Sequence, residues 1–233
     1  MTNLKQADLF RKLDETLGSF LYERGFKGRA FEYFVRPDSG GQETVHIADG
    51  KRVRANTHFG VVLSYEPDYL LHFIDEVYQL GAGNPSKGAV CPFYLTPIIM
   101  TRHEKFWPCH DASALQKTLA LILPAFESVG VPWLMTLRDR RTFAESVDPV
   151  AASSAAVAFE ACGDFAKARA FWTEVKRREI GILEQIYKGR IEKLDLLGAR
   201  LLVYSLQKLG EDQPLQDRLQ SHFKFQISTS LIP

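Results

Sequence analysis

The chain has 233 residues, of which 45% are hydrophobic and 24% are charged, as is usual for a globular protein. Its 29 basic and 28 acidic residues nearly cancel, so no global field directs the chain toward nucleic acid or an anionic membrane. The three cysteines are too few and too scattered for a disulfide framework. A chain of this length buries enough surface to need neither a disulfide nor a structural metal.

The N-terminus lacks the pattern of a secretion signal, because it has neither a continuous apolar core nor a small-residue cleavage site. The longest mostly apolar run, 119–126, is far shorter than the roughly 20 residues of a membrane span. An odd number of cysteines fits a reducing compartment. We therefore expect a cytoplasmic protein without membrane contact and without a cofactor.

The first predicted element is an amphipathic helix. Charged residues fill its outer side, and Gly25 ends it because glycine adopts the left-handed conformation at little cost. The apolar side chains recur at intervals of three and four residues, namely Phe10, Leu13, Leu17, Phe20 and Leu21.

Alternating apolar residues then predict an antiparallel sheet. Four strands are expected, at 26–36, 42–48, 57–65 and 90–102. The first two form a hairpin around the glycine-containing turn DSGGQ, and Pro37 ends the first of them. Phe31, Tyr33 and Val35 form the expected core face of that strand.

Helices are predicted on either side of the fourth strand. One begins near Pro67, and a later one carries a buried stripe of Leu115, Leu119, Ile122 and Phe126. A capping box that begins at Ser113 is expected to start the later helix, with Asp111 as the alternative cap. Pro124 is expected to kink or shorten that helix.

After residue 147 only helical patterns remain. Asp148 is predicted as an N-cap with Pro149 at the first helical position. The chain is therefore expected to have an α+β fold: about four antiparallel strands with helices on one face, followed by an all-helical segment. We expect an α+β domain at 1–146 and, packed on it, a helical segment at 147–233.

The turn GDFAKARAFW resembles half of a tetratricopeptide repeat. Gly163, Asp164 and Phe165 are followed by Ala168 and Trp172 at the family's spacing. In that family the small residue lets two helices approach, and aromatic residues fill the groove between them. Because such proteins need stacked repeats and only one hairpin matches, we expect a generic helical hairpin and do not carry over peptide binding.

Residues 1–146 resemble a group of small bacterial α+β domains of unknown function. The resemblance is carried by RGFKGRAFEYFVR after the first helix, by VHI and FGVVLSYEPD in the strands, and by FWPCHD before a helix that ends VGVPWLMTL. Some of these domains occur beside toxin genes and are proposed as immunity proteins. The resemblance implies an α+β fold and a protein partner, and it marks no catalytic residue.

The stretch TRHEKFWPCHDAS, residues 101–113, contains five side chains of types that bind metals or move protons. His103, Cys109 and His110 do not have the paired spacing of zinc ligands, and adjacent residues on an extended backbone point to opposite faces. His103 and Glu104 also do not begin an H-E-x-x-H motif. A metal- or cysteine-dependent hydrolase that uses this cluster remains the alternative function.

A third possibility is the binding of single-stranded nucleic acid by the predicted hairpin. Lys27, Arg29 and Arg36 interleave with aromatic residues, as in sheets that stack bases. The balanced net charge argues against the basic surface that binds nucleic acid.

His46 and His58 lie on neighbouring predicted strands. They would approach each other if the strands paired in the right register, although we expect two exposed polar side chains.

The residues above favour a non-catalytic protein that binds another protein over an enzyme, and the resemblance implies an immunity-type role for it. Trp107 lies between charged and polar side chains at the junction of the fourth strand and the next helix. We expect a partner to contact Arg102, His103, Trp107 and His110. No catalytic residue, metal ligand or cofactor is assigned.

Overall fold

The computed structural model describes residues 6–29, 33–49, 58–78, 93–94, 107–109, 111–189 and 195–225. Within these ranges there are six strands, namely β1 (Lys27–Gly28), β2 (Tyr33–Asp38), β3 (Gly41–Asp49), β4 (His58–Pro67), β5 (Phe93–Tyr94) and β6 (Trp107–Pro108). All of the pairings are antiparallel, in the order β1-β2-β3-β4-β5, and β6 also pairs with β4.

The described helices are α1 (Gln6–Leu13), α2 (Ser19–Tyr22), α3 (Asp68–Tyr78), α4 (Ala112–Ala125), α5 (Val131–Thr136), α6 (Arg140–Ser146), α7 (Ala152–Ala161), α8 (Phe165–Tyr187), α9 (Leu196–Leu209) and α10 (Gln213–Phe223). Among the described residues the strands lie between 27 and 108, and from residue 111 onward the regular elements are helices. The α+β fold predicted from the sequence is therefore confirmed.

The chain forms two compact units, each made of two segments. The first comprises Met1–Pro67 and Cys91–Arg138, and the second comprises Asp68–Val90 and Asp139–Pro233. The second unit therefore combines α3 and α6 with the helices that follow residue 147. Within it, the Phe73 ring of α3 contacts the rings of Trp172 and Tyr204, with centroids 6.0 and 5.2 Å apart.

In the first unit, one face of the sheet forms the core. Phe34, Val45 and Leu63 are fully buried, and the register Phe34↔Val45↔Leu63 places them side by side. The expectation that Val35 lies on the core face is wrong, because Val35 pairs with Thr44 on the opposite face and is only half-buried. The strand also continues through Pro37 to Asp38 rather than ending at the proline.

Two helical segments of the first unit contain a five-residue π-helical turn, at Asp14–Gly18 and at Phe126–Gly130. Four residues of an α-helix rotate by about 40° beyond a full turn, so a strict four-residue spacing drifts around the helix. The wider π turn offsets this drift. The buried residues follow that spacing across both turns: Leu13, Leu17 and Leu21 in one segment, and Ile122, Phe126, Gly130 and Leu134 in the other.

The second unit is a layered array in which α7 packs on α8, α8 on α9 and α9 on α10, while α3 packs on α7 and α9. Gly163 takes a φ of 80° between α7 and α8, and the Asp164 side chain caps α8 by accepting from the Lys167 N–H at 3.2 Å. Ala168 and Trp172 are buried, whereas Phe165 is 70% exposed. The hairpin therefore has the small residue and one of the aromatic residues of the repeat pattern in its interior.

Two helices begin at a different residue from the one expected. Asp111 caps α4 by accepting from the Ala114 N–H at 2.7 Å, so the capping box at Ser113 is wrong and the alternative is correct. Asp148 forms a turn instead, and its carboxylate accepts from the Val150 N–H at 2.9 Å, so that α7 begins at Ala152.

Candidate interaction surface

Three of the four residues expected to contact a partner, Arg102, His103 and His110, lie outside the described residues. The fourth, Trp107, is 3% exposed, and it pairs with Phe59 where β6 joins β4. Its indole therefore already packs inside the first unit.

Cys109 is fully buried next to β6. Burial raises the pKa of its thiol to about 12, because a thiolate would lose its hydration there. At pH 8 the thiolate fraction is then about one in ten thousand, and a nucleophilic cysteine acts as the thiolate. Among the described residues, no group of three or more His, Cys, Asp or Glu side chains lies close enough to hold a metal ion.

Of the three basic residues of the predicted hairpin, Lys27 and Arg29 are exposed, whereas Arg36 is engaged within the protein. Arg36 Nε donates to Glu43 Oε2 at 2.6 Å, and Arg36 Nη1 donates to the Arg24 carbonyl at 2.9 Å. This guanidinium therefore faces a buried carboxylate on the core side of the sheet.

The strand register also separates the two histidines of the sheet. His46 pairs with Val62, and His58 lies four residues from Val62 along β4, a distance of about 13 Å.

A continuous helix presents the clearest candidate surface of the first unit. The helix runs from α4 through the π turn to the end of α5, residues 112–136. Along its outer side lies an exposed row, which we call the outer stripe, made of Leu121, Pro124, Ser128, Pro132 and Met135. Leu121 is 54% exposed and Met135 is 57% exposed.

The outer stripe is opposite the face of the helix that packs in the core. Leu115, Ile122 and Leu134 are buried on the inner face. The outer residues recur at intervals of three, four, four and three, which keeps them on one side of a helix with a π turn. The helix is thus apolar on two sides, of which only one is covered by the first unit.

The polar atoms of the outer stripe already have partners within the helix. Ser128 Oγ donates to the Pro124 carbonyl at 2.9 Å, and the neighbouring Thr136 Oγ1 donates to the Trp133 carbonyl at 2.7 Å. A surface that covers these hydroxyls therefore leaves neither donor unsatisfied. This removes the usual cost of burying a polar group against an apolar partner.

Three contacts fix this helix on the first unit. Gly130 lies so close to β4 that a Cβ there would be 2.8 Å from Leu63 Cδ1, so only glycine fits without a shift. Arg24 of the N-terminal helical segment pairs with Glu127 of the π turn. At the other end, Arg138 follows α5 and bonds Glu43 of β3.

Glu43 is the centre of an ion cluster at that end of the helix. Although its side chain is a carboxylate, Glu43 is fully buried. It lies on the core face of β3, two residues before Val45. Arg138 Nη2 donates to its Oε1 at 2.9 Å, and Arg138 Nε lies 3.2 Å from Asp38 Oδ2. The hydrogen bond to Glu43 raises the pKa of the Arg138 guanidinium above its ordinary value. With Arg36, the cluster ties β2 and β3 to the end of α5.

The helix that carries the outer stripe is also, among the described residues, the one whose length and composition would suit a membrane span. The core helix of a soluble protein can meet the same criteria. Its inner face packs Leu115, Ile122 and Leu134 within the first unit. Length and composition therefore do not by themselves assign it to a membrane.

Sequence reasoning missed the outer stripe for an identifiable reason. It followed the inner apolar residues and expected Pro124 to kink or shorten the helix. In the structure Pro124 lies inside α4, and the helix continues for twelve residues after it. The signal was present, because Leu121, Pro132 and Met135 form a second apolar row in the same segment.

No protein-family model, no curated protein and no solved structure matches this chain.

Proposed function

We propose that this protein is a non-catalytic, cytoplasmic protein-binding protein and that the outer stripe is its contact surface. The observation that carries the proposal is the exposure of Leu121 and Met135 on a helix whose opposite face is already packed. Exposed apolar residues that occur singly are ordinary, whereas a contiguous row of them is typical of an interaction site.

A protein partner suits this surface better than a small molecule does. The stripe is a convex helix face, whereas ligand sites are concave pockets. An apolar row with intervals of three and four is the pattern of helix-on-helix or helix-in-groove recognition. The partner surface should therefore be a helix or groove with apolar side chains, which would contact Leu121 at one end and Met135 at the other.

A cysteine-dependent hydrolase receives less support. Cys109 is buried and its thiol has a raised pKa, whereas a catalytic cysteine needs an accessible thiolate. Nucleic-acid binding by the hairpin is also less well supported, because only two of its three basic residues, Lys27 and Arg29, are exposed, while Arg36 is bonded to Glu43. Neither alternative has an observation in its favour comparable to the outer stripe.

The immunity-type role is a narrower form of the same proposal. It rests on the resemblance of residues 1–146 to domains proposed to block toxins. Under this role the partner is encoded by a neighbouring gene, and the protein needs a stable surface rather than a reactive group. The gene neighbourhood of the chain therefore supplies the first partner to test.

The test is capture of the purified neighbouring gene product by three forms of the protein. The wild type is compared with Leu121→Asp/Met135→Asp, in which two buried charges would oppose an apolar contact. Val150→Asp is the matched control, because Val150 is also apolar and is 82% exposed, but lies in the second unit. We expect capture by the wild type and by the control and no capture by the double variant.

Two results would contradict the proposal. Equal capture by all three forms would show that the partner contacts another surface. Hydrolase activity that stays with the protein through purification would show that the protein is an enzyme. Circular dichroism of each form confirms that the variants remain folded. Binding of the wild type to phospholipid vesicles, abolished in the double variant, would assign the stripe to a membrane instead.

A further inference from the structure

We infer that a cavity at the turn between α9 and α10 binds a guanidinium group, carried either by an arginine side chain of a protein or by a small free compound. The inference goes beyond the proposed function, because this cavity lies in the second unit and the outer stripe lies in the first. Its walls are the last turn of α9, the connecting turn and the first turn of α10.

The cavity is larger than a single bridging water requires. Its volume is about 340 Å³, whereas a water molecule takes up about 30 Å³ in the liquid. Sites for small molecules begin at about 300 Å³. The space therefore suits one side chain or a small organic ligand with its polar end inside.

Two side-chain oxygens at the cavity lack a hydrogen-bond donor. Gln207 and Gln216 both line it, and Oε1 of each is buried with no hydrogen-bond partner in the part of the chain that the structure describes. Gln216 is 2% exposed, and its Nε2 donates to the Glu211 carbonyl at 2.6 Å, which identifies Oε1 as the atom without a bond. A buried acceptor without a donor is costly, so a ligand that donates to these oxygens gains affinity.

The Gln207 side chain can adjust to a ligand without movement of the helices. It is only half-buried, and the torsion that turns its amide has a broad energy minimum. Turning about this torsion brings Oε1 toward a donor in the cavity. Gln216 is held by its bond to the Glu211 carbonyl, so its amide keeps a fixed orientation. One adjustable acceptor and one fixed acceptor therefore belong to the same cavity.

The charges at the cavity favour a cation over an anion. Asp212 Oδ1 accepts from the Leu215 N–H at 3.1 Å, so this exposed carboxylate already caps the helix N-terminus that would otherwise attract an anion. Glu211 is paired with Lys176 of α8 at 2.6 Å, so these two charges cancel. Once that pair is set aside, the lining keeps the negative charge of Asp212.

A guanidinium group matches these acceptors better than the other common donors do. It is planar, has five N–H donors on three nitrogens, is always charged and has no acceptor of its own. It therefore has enough donors for both glutamine oxygens and for the carboxylate of Asp212. An ammonium group has its three donors on a single nitrogen, and a neutral amide or urea adds an oxygen where acceptors are already in excess.

A titration of the full-length wild type with propylguanidinium, followed by NMR of the glutamine side-chain amides, tests binding directly. The signals of Gln207 and Gln216 are identified by their loss in Gln207→Leu and Gln216→Leu. We expect them to shift with half-saturation at about 1 mM, which is usual for so small a ligand. Propylurea has nearly the same shape but no charge, and it should cause no such shift up to about 20 mM. Butylammonium should bind at least about threefold more weakly, because it lacks the planar fork.

Two substitutions at Gln207 separate a binding role from a structural one. Gln207→Leu removes the acceptor and should weaken propylguanidinium binding by about tenfold. Gln207→Glu adds a negative charge and should strengthen it by about threefold or more. Gln220→Leu is the matched control, because Gln220 is a half-buried glutamine of α10 that does not line this cavity. The affinity of the control should stay within about twofold of the wild type.

A capped Gly-Arg-Gly peptide identifies the source of the guanidinium group. Tighter binding of the peptide than of propylguanidinium would assign the cavity to an arginine side chain of a protein. Binding of propylguanidinium with exclusion of the peptide would assign it to a small free compound.

Three results overturn the inference. They are the absence of a shift at the highest propylguanidinium concentration, an equal response to propylurea or butylammonium, and equal affinity of the wild type, Gln207→Leu and Gln207→Glu. Leu121→Asp/Met135→Asp should bind propylguanidinium as the wild type does. Failure of this inference is therefore distinct from failure of the proposed function, which is measured by capture of the neighbouring gene product.

Discussion

Both units bury glutamates, and two of them, Glu43 in the first unit and Glu179 in the second, have different surroundings. Glu43 in the first unit is fully buried and receives hydrogen bonds from two arginines, Arg36 and Arg138. Glu179 in the second unit is 3% exposed and has one arginine contact, a 3.0 Å bond from the adjacent Arg178. Burial alone therefore does not decide what a carboxylate contributes to stability. The number and direction of its donors do.

The difference is visible in the protonation of Glu179. Burial raises the pKa of this carboxyl above its ordinary value, the negative charge of Asp195 raises it further, and Arg178 opposes both without offsetting them. Glu160, also in the second unit, is an intermediate case. It accepts from Trp172 Nε1 and from Lys208 Nζ, both at 2.7 Å. Three substitutions test how much each of these carboxylates contributes to the free energy of unfolding.

The largest effect is expected for Glu43→Ala. It leaves two guanidinium groups without their shared carboxylate, and breaking a buried ion pair from one side is costly. We expect a loss of about 3 kcal/mol in the free energy of unfolding, at the lower end of the usual range because both arginines are partly exposed. Urea unfolding measures it, with Glu184→Ala, in an exposed pair with Lys188, as the control. Equal effects of the two substitutions would mean that the cluster contributes nothing beyond a surface ion pair.

Glu160→Ala should have the next largest effect. The indole N–H of Trp172, which is 1% exposed, would lose its acceptor, and the Lys208 ammonium would lose its partner. An unsatisfied buried donor costs about 1 to 3 kcal/mol, so we expect a loss of about 2 kcal/mol. Urea unfolding followed by tryptophan fluorescence measures it. If the variant kept the wild-type free energy of unfolding, the bonds of Glu160 to Trp172 and Lys208 would not determine how much this carboxylate stabilises the second unit.

The smallest effect, with the opposite sign, is expected for Glu179→Gln. Because the folded state holds this proton more tightly than the unfolded state, wild-type stability falls as pH rises from the unfolded carboxyl value near 4.3 through the raised folded value. At pH 7 a neutral amide avoids the cost of burying the charge, and we expect a gain of about 0.5 kcal/mol.

The pH dependence provides the check on this last prediction. The advantage of Glu179→Gln should shrink as pH falls through the raised folded pKa, since the wild-type carboxyl becomes neutral as well. Thermal unfolding at pH 4 and pH 7 compares the two proteins. A glutamine variant that is less stable than the wild type at both pH values would show that the Arg178 bond outweighs the burial cost.

Local patterns in the sequence predicted the elements whose cause is local. The helix with Leu13 and Leu17, the end at Gly25 and the start of α8 at Asp164 agree with the structure, because periodicity and capping act within one turn. The alternation of Val45 and Ile47 also placed β3 correctly. These features together were sufficient for the α+β class.

Prediction from the sequence failed where a contact between residues distant in the chain determines the structure. The β2 strand has aromatic or apolar residues on both faces, so alternation could not choose between Val35 and Phe34 until the register with Val45 was known. Glu43 is in phase with Val45 and Ile47, yet its burial depends on Arg138, which lies 95 residues later in the chain. The candidate surface was missed because Pro124 was expected to disrupt a helix that continues past it.

The π turn at Phe126–Gly130 has a consequence for how the chain tolerates insertions and deletions. A π turn is equivalent to one residue added to an α-helix. Deleting one residue within it would therefore restore regular hydrogen bonding and leave the residues that follow nearly in place. Deleting one residue from the regular helix before the π turn would instead rotate everything that follows by about 100°, and Leu134 would leave the core. This helix should therefore tolerate a length change of a single residue better within the π turn than elsewhere.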